Sequence, residues 1–463
     1  MNFSDFLSVV QWWTVIFIIG AIFIPITNLI LSNFFDKGYI FSKIIGTAAI
    51  SYAVFVLGFL KILPFTQATI FIVIALFAGI NILIFKKKIK LAIKQFDNEA
   101  IKIIIFEEAL FLGVLFFWSF IHAHQPDIHG LEKYMDYGFI NSILRAKYFP
   151  PLDMWFTPFS INYYYFGHLV TAVLTKLSLL PSPITFNLML STISALSFVS
   201  AFSIGANLFK ILMNKGRVAK EEGLPTPLRL KASRGKTTLE SAGLPAVALA
   251  KVGGKLLTGP VLAGLLTAFI LNFAGNLHTL HLFFKPYLNE NPVPFWNLIF
   301  SPQTFPNNYW YPNATRFIEN TIHEFPIYSS VVSDLHGHFL DLPFVLLTIA
   351  ILLSLVLKSQ ITNHKSQINL NVQNSKRFGF FNFRNLNLFG TWNFEFRILL
   401  LAFLLAIMYM TNAWDGIIYF ILATLIIGYT ILKSLINPSE IINSKFKNFI
   451  TLFIHKILLL GLF

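Results

Sequence analysis

Two acidic side chains, Glu132 and Asp136, are four residues apart in a segment whose apolar residues have helical spacing. Residues four apart lie on the same face of a helix, so the two carboxylates are neighbours. Neighbouring carboxylates repel each other unless a cation lies between them or one of them keeps its proton. The pair is therefore suited to binding a divalent metal or to acid–base catalysis, and an ordinary solvated helix face is the alternative.

A second polar cluster, residues 333–341, lies at the start of an apolar run. Ionisable residues near a membrane are costly and usually functional, although polar capping of the helix start is an alternative. The His-Gly-His spacing permits a metal site without being a strong signature of one. If residues 334–338 are extended, side chains two apart share a face. The candidate ligands for Mg²⁺ or Mn²⁺ are Asp334, His336, His338 and Asp341.

Three consecutive tyrosines precede His168 at a predicted membrane boundary. They are either part of an aromatic belt or a surface that stacks on a sugar ring and hydrogen-bonds a lipid phosphate. Asp415 follows an apolar run, where capping of the next helix is the alternative to a binding role. The candidate substrate-binding residues are Tyr163, Tyr164, Tyr165, His168, His323, Glu324, Trp414 and Asp415.

The composition is that of a membrane protein, with 56% hydrophobic and only 12% charged residues. The apolar residues form stretches of about twenty, the length that crosses a hydrocarbon core. They predict an all-α, polytopic transmembrane helical bundle of about nine to eleven membrane segments. Cysteine is absent, which excludes disulfides and thiolate sites. The net charge of +14 follows from basic membrane-flanking loops, so nucleic acid is not expected as a partner.

The basic loops predict the topology, because Lys and Arg are enriched on the cytoplasmic side. Residues 86–94, 210–255, 358–397 and 433–447 are therefore expected to be cytoplasmic. The polar clusters then fall in outer loops 122–165 and 281–341 and in the turn 411–416, all on the extracytoplasmic face. Residues 166–180 are short and end at Pro181, so we interpret them as re-entrant or interfacial. Translocation of the basic insertion is the alternative.

Four parts of the chain follow from this pattern. Residues 1–100 are expected to be an N-terminal three-helix membrane scaffold with almost no polar residues of interest. Residues 101–440 form a membrane core, with an amphipathic helix in its first outer loop. Residues 214–258 are expected to be a flexible basic cytoplasmic insertion, and residues 441–463 the start of a truncated further membrane segment.

The polar clusters also carry a resemblance to a known family. The segments are Pro126-Asp127, Glu132 to Asp136, Asn162 to His168, Ser333 to His338, and Asn412 to Asp415. Together they resemble the "YYY" family of multi-spanning membrane proteins of archaea and some bacteria, over roughly residues 100–440. That family is distantly similar to the GT-C glycosyltransferases, which take sugars from polyprenyl-phosphate donors.

The resemblance implies a GT-C-like membrane core and a glycosyltransferase in the cell membrane with an extracytoplasmic active face. Its partners would be membrane lipid, a polyprenyl-phosphate sugar and an extracytoplasmic acceptor, with a divalent metal as a potential cofactor. GT-C enzymes commonly carry two adjacent acids in the first outer loop. Glu132 takes the first position and Lys133 the second, which leaves Glu132, Asp136 and Asp127 all open as the catalytic acid.

The chemistry would need a carboxylate that deprotonates the acceptor hydroxyl and cationic groups near the leaving phosphate. His336, His338 and a bound metal are candidates for the second role. The alternative is a transporter or lipid-binding protein without catalysis, whose polar residues would line a path. Transporters place ionisable groups in the middle of the membrane, whereas the clusters here are expected in loops at helix ends. A metal-dependent membrane hydrolase is a third interpretation, based on His336 and His338 alone.

Overall fold

The computed structural model describes residues 2–85, 98–221, 259–275, 311–316, 318, 320–362, 392–435 and 456. Within these ranges the chain is helical and has no β-strand, which confirms the prediction of an all-α membrane protein. The helices are α1 (Phe3–Ile30), α2 (Tyr39–Phe59), α3 (Gln67–Phe85), α4 (Asn98–His122), α5 (Lys133–Arg145), α6 (Phe166–Ser178), α7 (Ser182–Glu221), α8 (Gly259–Phe273), α9 (Pro326–Val332), α10 (Gly337–Thr362), α11 (Trp392–Thr411) and α12 (Ala413–Leu435).

Several of these helices are long and apolar enough to cross a membrane. Five meet both criteria: α1, α2, and the segments Ser182–Met213, Gly337–Leu357 and Ala413–Leu432 of α7, α10 and α12. Three shorter apolar segments lie in α3, α8 and α11. The protein is therefore a multi-pass membrane protein. The total of nine to eleven segments stays a prediction, because parts of the chain lie outside the described residues.

Helix α7 is the centre of the bundle and packs against α4, α8 and α10. Its contact with α8 is close, because Gly205 faces Thr267 and Gly264 faces the backbone of Phe202. Small residues let two membrane helices approach closely, which stabilises them through van der Waals contact. The loops at the ends of α4, α7 and α10 are thereby held in fixed positions around the bundle.

Helix α6 is almost wholly enclosed by its neighbours, yet it has only 13 residues. At ~1.5 Å per residue it is ~20 Å long, which is less than the ~30 Å of a hydrocarbon core. Leu179, with a φ of 59°, ends it before α7 begins. The length agrees with the interpretation of residues 166–180 as a re-entrant or interfacial segment.

Several sequence predictions concern residues outside the described ranges. Helix α7 continues to Glu221, so the predicted insertion 214–258 begins as helix, whereas residues 222–258 are outside. Residues 276–310 of the second outer loop are also outside the described part. So is the predicted truncated segment 441–463, apart from Lys456.

The two ends of the bundle can be told apart by a cavity of about 170 Å³. It is lined by Asp5 at the start of α1 and by His122 at the end of α4, so these helix ends lie side by side. The turn between α1 and α2 and the start of α4 must then lie at the opposite end. We call the end with His122 the site end and the other the distal end.

This arrangement predicts the labelling pattern of single cysteines, which the cysteine-free chain makes easy to read. Gln125→Cys and Thr321→Cys are exposed at the site end, and Asn33→Cys is exposed in the α1–α2 turn at the distal end. We expect a membrane-impermeant maleimide to label the first two from one side of the membrane and Asn33→Cys only from the other. Labelling of Gln125→Cys and Thr321→Cys from opposite sides would contradict the shared face.

Candidate functional site

Glu132 and His336 form the contact that joins the two outer loops. Helix α5 begins at Lys133, so Glu132 precedes the helix, and its side chain is about half exposed. Its Oε2 atom lies 2.7 Å from Nδ1 of His336. This distance brings the loop before α5 into contact with the segment before α10. The two groups form an ion pair when His336 is protonated.

Asp136 faces a different histidine from Glu132. Its Oδ1 accepts a hydrogen bond of 2.8 Å from Nε2 of His168, and both side chains are buried. Burial raises the pKa of Asp136 to about 8, with repulsion from Glu132 adding to the effect and the charges of His336 and His338 opposing it. Asp136 is therefore mainly protonated at neutral pH. The two carboxyl groups have separate partners rather than one shared proton or cation.

The orientation of α5 also differs from the sequence prediction. Leu131 was expected on the apolar face, but it precedes the helix, has a φ of 49° and is exposed. The buried face contains Phe139, Ile140 and Ile143 together with Asp136. The physical reason is that His168 satisfies the carboxyl group inside the protein, so Asp136 need not face water.

The segment that carries His336 changes conformation within a few residues. Helix α9 ends at Ser333, which has a φ of 58°, and Asp334 to His336 are irregular. Helix α10 then begins at Gly337, so His338 is helical. The prediction that residues 334–338 are extended is therefore wrong for His338, because helix α10 already begins at Gly337. His336 still approaches His338, with ring centroids 5.4 Å apart.

Tyr163 and Tyr164 form a close pair of tilted rings beside His336. The Tyr163 hydroxyl donates to the Tyr164 hydroxyl at 2.6 Å, and their ring centroids are 3.9 Å apart. Nε2 of His336 lies 3.4 Å from the Tyr163 oxygen. Since that hydroxyl gives its only proton to Tyr164, it accepts from Nε2–H. Its Nδ1 faces the Glu132 carboxyl group, so both ring nitrogens of His336 have a polar neighbour.

Tyr165 does not join this pair. Its ring packs against Phe55 of α2, with centroids 6.5 Å apart, and burial raises its pKa to about 12. Trp414 is 73% exposed near the start of α12. Neither residue makes a ring contact with His336 among the described contacts.

The remaining candidates surround His338. Its Nε2 lies 3.0 Å from Oε2 of Glu324. Burial opposes ionisation of Glu324, but the hydrogen bond and charge of His338 outweigh it and lower the pKa. Asp334 is buried, and burial together with repulsion from Asp136 raises its pKa to about 7. His323 lies just before Glu324, and its backbone N–H donates to the Thr315 carbonyl at 2.9 Å.

Lys133 is a buried basic residue. In the sequence analysis it was considered only because it replaces the second acid of the GT-C motif. Burial lowers its pKa, while the negative charges of Asp334 and Asp127 act in the opposite direction. Asp127 itself is exposed. Lys133 therefore places a positive charge between the first outer loop and the segment before α10, as a leaving phosphate would require.

The predicted metal ligands do not form one set. Asp341 is fully buried one turn into α10, where its carboxyl group interacts with that of Asp415, and Asn412 donates to Asp415 at 2.6 Å. His336 and His338 face different glutamates. Among the described residues, no three His, Asp or Glu side chains are arranged to hold a metal ion.

Sequence reasoning also missed His122, which is buried at the end of α4. Its Nδ1 lies 3.0 Å from the Ser191 hydroxyl and its Nε2 lies 2.9 Å from the Ser330 carbonyl oxygen. These contacts tie α4 to α7 and α9. The position of His122 at the end of an apolar run could have marked it as a candidate. Its partners could not be predicted, because they are distant in sequence.

Comparison with known proteins assigns residues 49–462 to one family model, whose description is "Uncharacterized membrane protein (DUF2298)". No curated protein matches the chain. No solved structure matches it either. The match confirms the resemblance to a family of uncharacterised multi-spanning membrane proteins, whereas the link to GT-C glycosyltransferases stays a prediction.

Gly337 tests the close packing around the tyrosine pair. A Cβ atom there would lie 2.6 Å from the Thr411 carbonyl oxygen and 2.5 Å from Cε2 of Tyr164. We expect Gly337→Ala to displace Tyr164 and to destabilise the protein by about 1–3 kcal/mol, as overpacking does. The control is Gly113→Ala in α4, where nothing lies within 4 Å. Equal thermal unfolding temperatures in detergent for the two variants would contradict the close approach.

Asp136 predicts a specific dependence of stability on pH. Its pKa is raised to about 8 in the folded state, against ~3.9 in the unfolded chain. Its contribution to stability is complete below the unfolded pKa and is lost as the pH rises through the folded value. In Asp136→Asn, which keeps an acceptor for His168, we expect this loss between about pH 4 and 8 to disappear. Thermal unfolding of wild type, Asp136→Asn and the exposed control Asp127→Asn measures it, and parallel pH profiles for all three would contradict it.

Proposed function

We propose that this chain, which belongs to the family described as "Uncharacterized membrane protein (DUF2298)", is a glycosyltransferase that uses a polyprenyl-phosphate-linked sugar. The observation that carries the proposal is the Glu132–His336 ion pair beside the close pair of Tyr163 and Tyr164. A base, an acid and an aromatic surface then lie together where apolar helices meet polar loops. That location suits a substrate with a polar head and a long apolar tail.

The three candidate acids differ in how well they suit the role of base. Asp136 is buried and mainly protonated at neutral pH, so it cannot accept a proton. Asp127 is exposed. Glu132 is half exposed, so that an acceptor can reach it, and its Oε2 lies 2.7 Å from Nδ1 of His336. We therefore assign the base to Glu132 and a positioning role to Asp136, which fixes α5 through His168.

The proposed reaction transfers the sugar from phosphate to a hydroxyl. The acceptor oxygen forms a bond to the anomeric carbon of the sugar while the bond from that carbon to the phosphate oxygen breaks. The acceptor proton moves to the Glu132 carboxylate, and the polyprenyl phosphate leaves with the bonding electrons. His336 as an imidazolium and Lys133 as an ammonium group stabilise the charge on the departing phosphate.

The aromatic pair gives the sugar a binding surface. The rings of Tyr163 and Tyr164 lie close together at an angle of 34°, and Tyr163 also contacts Phe139 and His336. A sugar ring packs its C–H groups on such faces, while the hydroxyl groups of the two tyrosines remain near its oxygens. The membrane helices around the site would hold the polyprenyl tail.

Transport is the second candidate function, and one observation favours it. Lys43, Glu107 and Glu108 lie inside apolar helices, where transporters hold ionisable groups. These three residues lie outside the polar clusters that were expected in loops at helix ends. A transporter would show solute flux in proteoliposomes that depends on these residues, without any new glycosidic product.

The glycosyltransferase proposal predicts the effect of Glu132→Gln on lipids and glycans. Loss of a general base slows a reaction by roughly 10²–10⁴-fold. We expect cells that carry Glu132→Gln to accumulate a polyprenyl-phosphate sugar and to lack its glycan product, as cells without the gene do. Mass spectrometry of extracted lipids and glycans measures both. The matched control is Asp127→Asn in the same loop, which should behave as wild type.

Protein amounts in the membrane must be equal for the three strains, which immunoblotting of membrane fractions establishes. The proposal fails if well-expressed Glu132→Gln gives the lipid and glycan profile of the wild type. It also fails if deletion of the gene changes neither profile.

A further inference from the structure

A second group of ionisable side chains is buried at the distal end, far from the Glu132–His336 pair. It contains Asp36 before α2, Lys43 in α2, and Glu107 and Glu108 in α4. Glu107 is ~14 Å along α4 from Asn98 and ~22 Å from His122, at ~1.5 Å per residue. The expectation that residues 1–100 have almost no polar residues of interest is therefore wrong for Asp36 and Lys43.

Glu108 is fully accounted for as a carboxylate. Its oxygens lie 2.9 Å from Nζ of Lys43 and accept hydrogen bonds of 2.7 Å from both the Tyr39 hydroxyl and the Trp13 indole. Two hydrogen-bond donors and the positive charge of Lys43 therefore surround the Glu108 carboxyl group. Lys43 also lies over the ring of Phe111, at 5.1 Å from its centroid. Lys43 and Glu108 thus neutralise each other inside the membrane.

Asp36 is likewise surrounded by donors. Its Oδ1 accepts from the backbone N–H of Gly38 at 3.1 Å and from the Asn207 amide at 3.2 Å. Its Oδ2 accepts from the Ser203 hydroxyl. Every one of these groups donates, so both oxygens of Asp36 act as acceptors. Among the described residues no cation is bonded to Asp36.

Glu107 is the residue that these contacts leave unexplained. It is fully buried, and neither carboxyl oxygen has a hydrogen-bond partner among the described residues. Its carboxyl group lies beside that of Asp36, and the backbone N–H of Ile40 at the start of α2 faces it. Two adjacent buried carboxylates repel each other strongly unless one binds a proton. A protonated Glu107 would instead donate its hydrogen to Asp36.

We propose that Glu107 and Asp36 form an intramembrane proton-binding site, in which one proton lies between the two carboxyl groups. The charges around it are Lys43 and Glu108 on one side and Lys210, which lies 4.8 Å from the Phe35 ring, towards the distal end. With the proton bound, the group has two negative charges, on Asp36 and Glu108, and the single positive charge of Lys43. Loss of the proton adds a further buried negative charge.

The site has a short route to water. Ser32 and Asn33 are exposed in the same turn that carries Asp36, so only a few residues separate the pair from the distal surface. The α1–α2 turn is anchored there by Asn207, whose side-chain oxygen accepts from the backbone N–H of Phe35 at 2.9 Å. A proton can therefore exchange with the distal side, away from the Glu132–His336 pair. This inference does not depend on the proposed glycosyltransferase activity.

Infrared spectroscopy of the purified full chain at neutral pH tests the proposal, because a protonated carboxylic acid has a carbonyl band that a carboxylate lacks. Asp136 is also protonated at neutral pH, so the spectrum of Glu107→Gln is subtracted from that of the wild type, and we expect the difference to contain one carboxylic acid band. The matched control is Glu99→Gln at the exposed start of α4, where the side chain pairs with Lys102, and it should retain the band. The amide of Glu107→Gln can still donate to Asp36, so this variant should fold, and size-exclusion chromatography checks it.

Identical carbonyl bands in wild type and folded Glu107→Gln would overturn the proposal. A band that appears only after removal of Na⁺ would also overturn it, because the pair would then bind a metal cation. If Glu107→Gln does not fold, Asp36→Asn gives the same decision. This variant replaces the partner of the proton by an amide, so the Glu107 band should shift, and an unshifted band would contradict the proposal.

Discussion

The hydrogen bond between Asp136 and His168 is the contact on which the site depends, because neither group is accessible to water. A buried polar group without a partner costs about 1–3 kcal/mol, so each side chain fixes the other. The bond joins α5 to the first turn of α6 and sets the rotation of α5 about its axis. Glu132, one turn earlier, is thereby directed towards His336 rather than into the protein.

Close approach of backbone makes the rest of the site possible. A Cβ on Gly167 would lie 2.8 Å from Cβ of Leu340, so α6 and α10 approach so closely that only glycine fits at this position. Gly337 brings the start of α10 equally close to Tyr164. These two glycines place the tyrosines and His336 within contact distance. The short α6 thus acts as the element against which both outer loops are assembled.

The same cost of burying charge shapes the distal end. Lys43 and Glu108 form an ion pair within the membrane, and Asp36 is held by donors from α7 and from its own turn. Pairing reduces the penalty of burial, but breaking such a pair is expensive because it leaves one charge alone. Polar contacts at the distal end therefore link α1, α2, α4 and α7. At the site end His122 links α4 to α7, and the Asp136–His168 bond links α5 to α6. Only 12% of the residues are charged, and the buried charged residues named here lie where helices contact each other.

The sequence by itself determined the all-helical membrane architecture, since apolar runs of membrane length have no other stable form in lipid. It also indicated that the loops with Glu132, Tyr163 and His336 share one face, because basic residues mark the other. Only the tertiary structure decided that Glu132 pairs with His336 and Asp136 with His168. A spacing of four residues places two side chains on one helix face, but it does not show which residues pack against that face. Likewise, Glu107 and Glu108 were visible inside an apolar run, whereas their partners Asp36 and Lys43 come from a distant helix turn. Which buried acid keeps its proton depends on those partners, and packing alone supplies them.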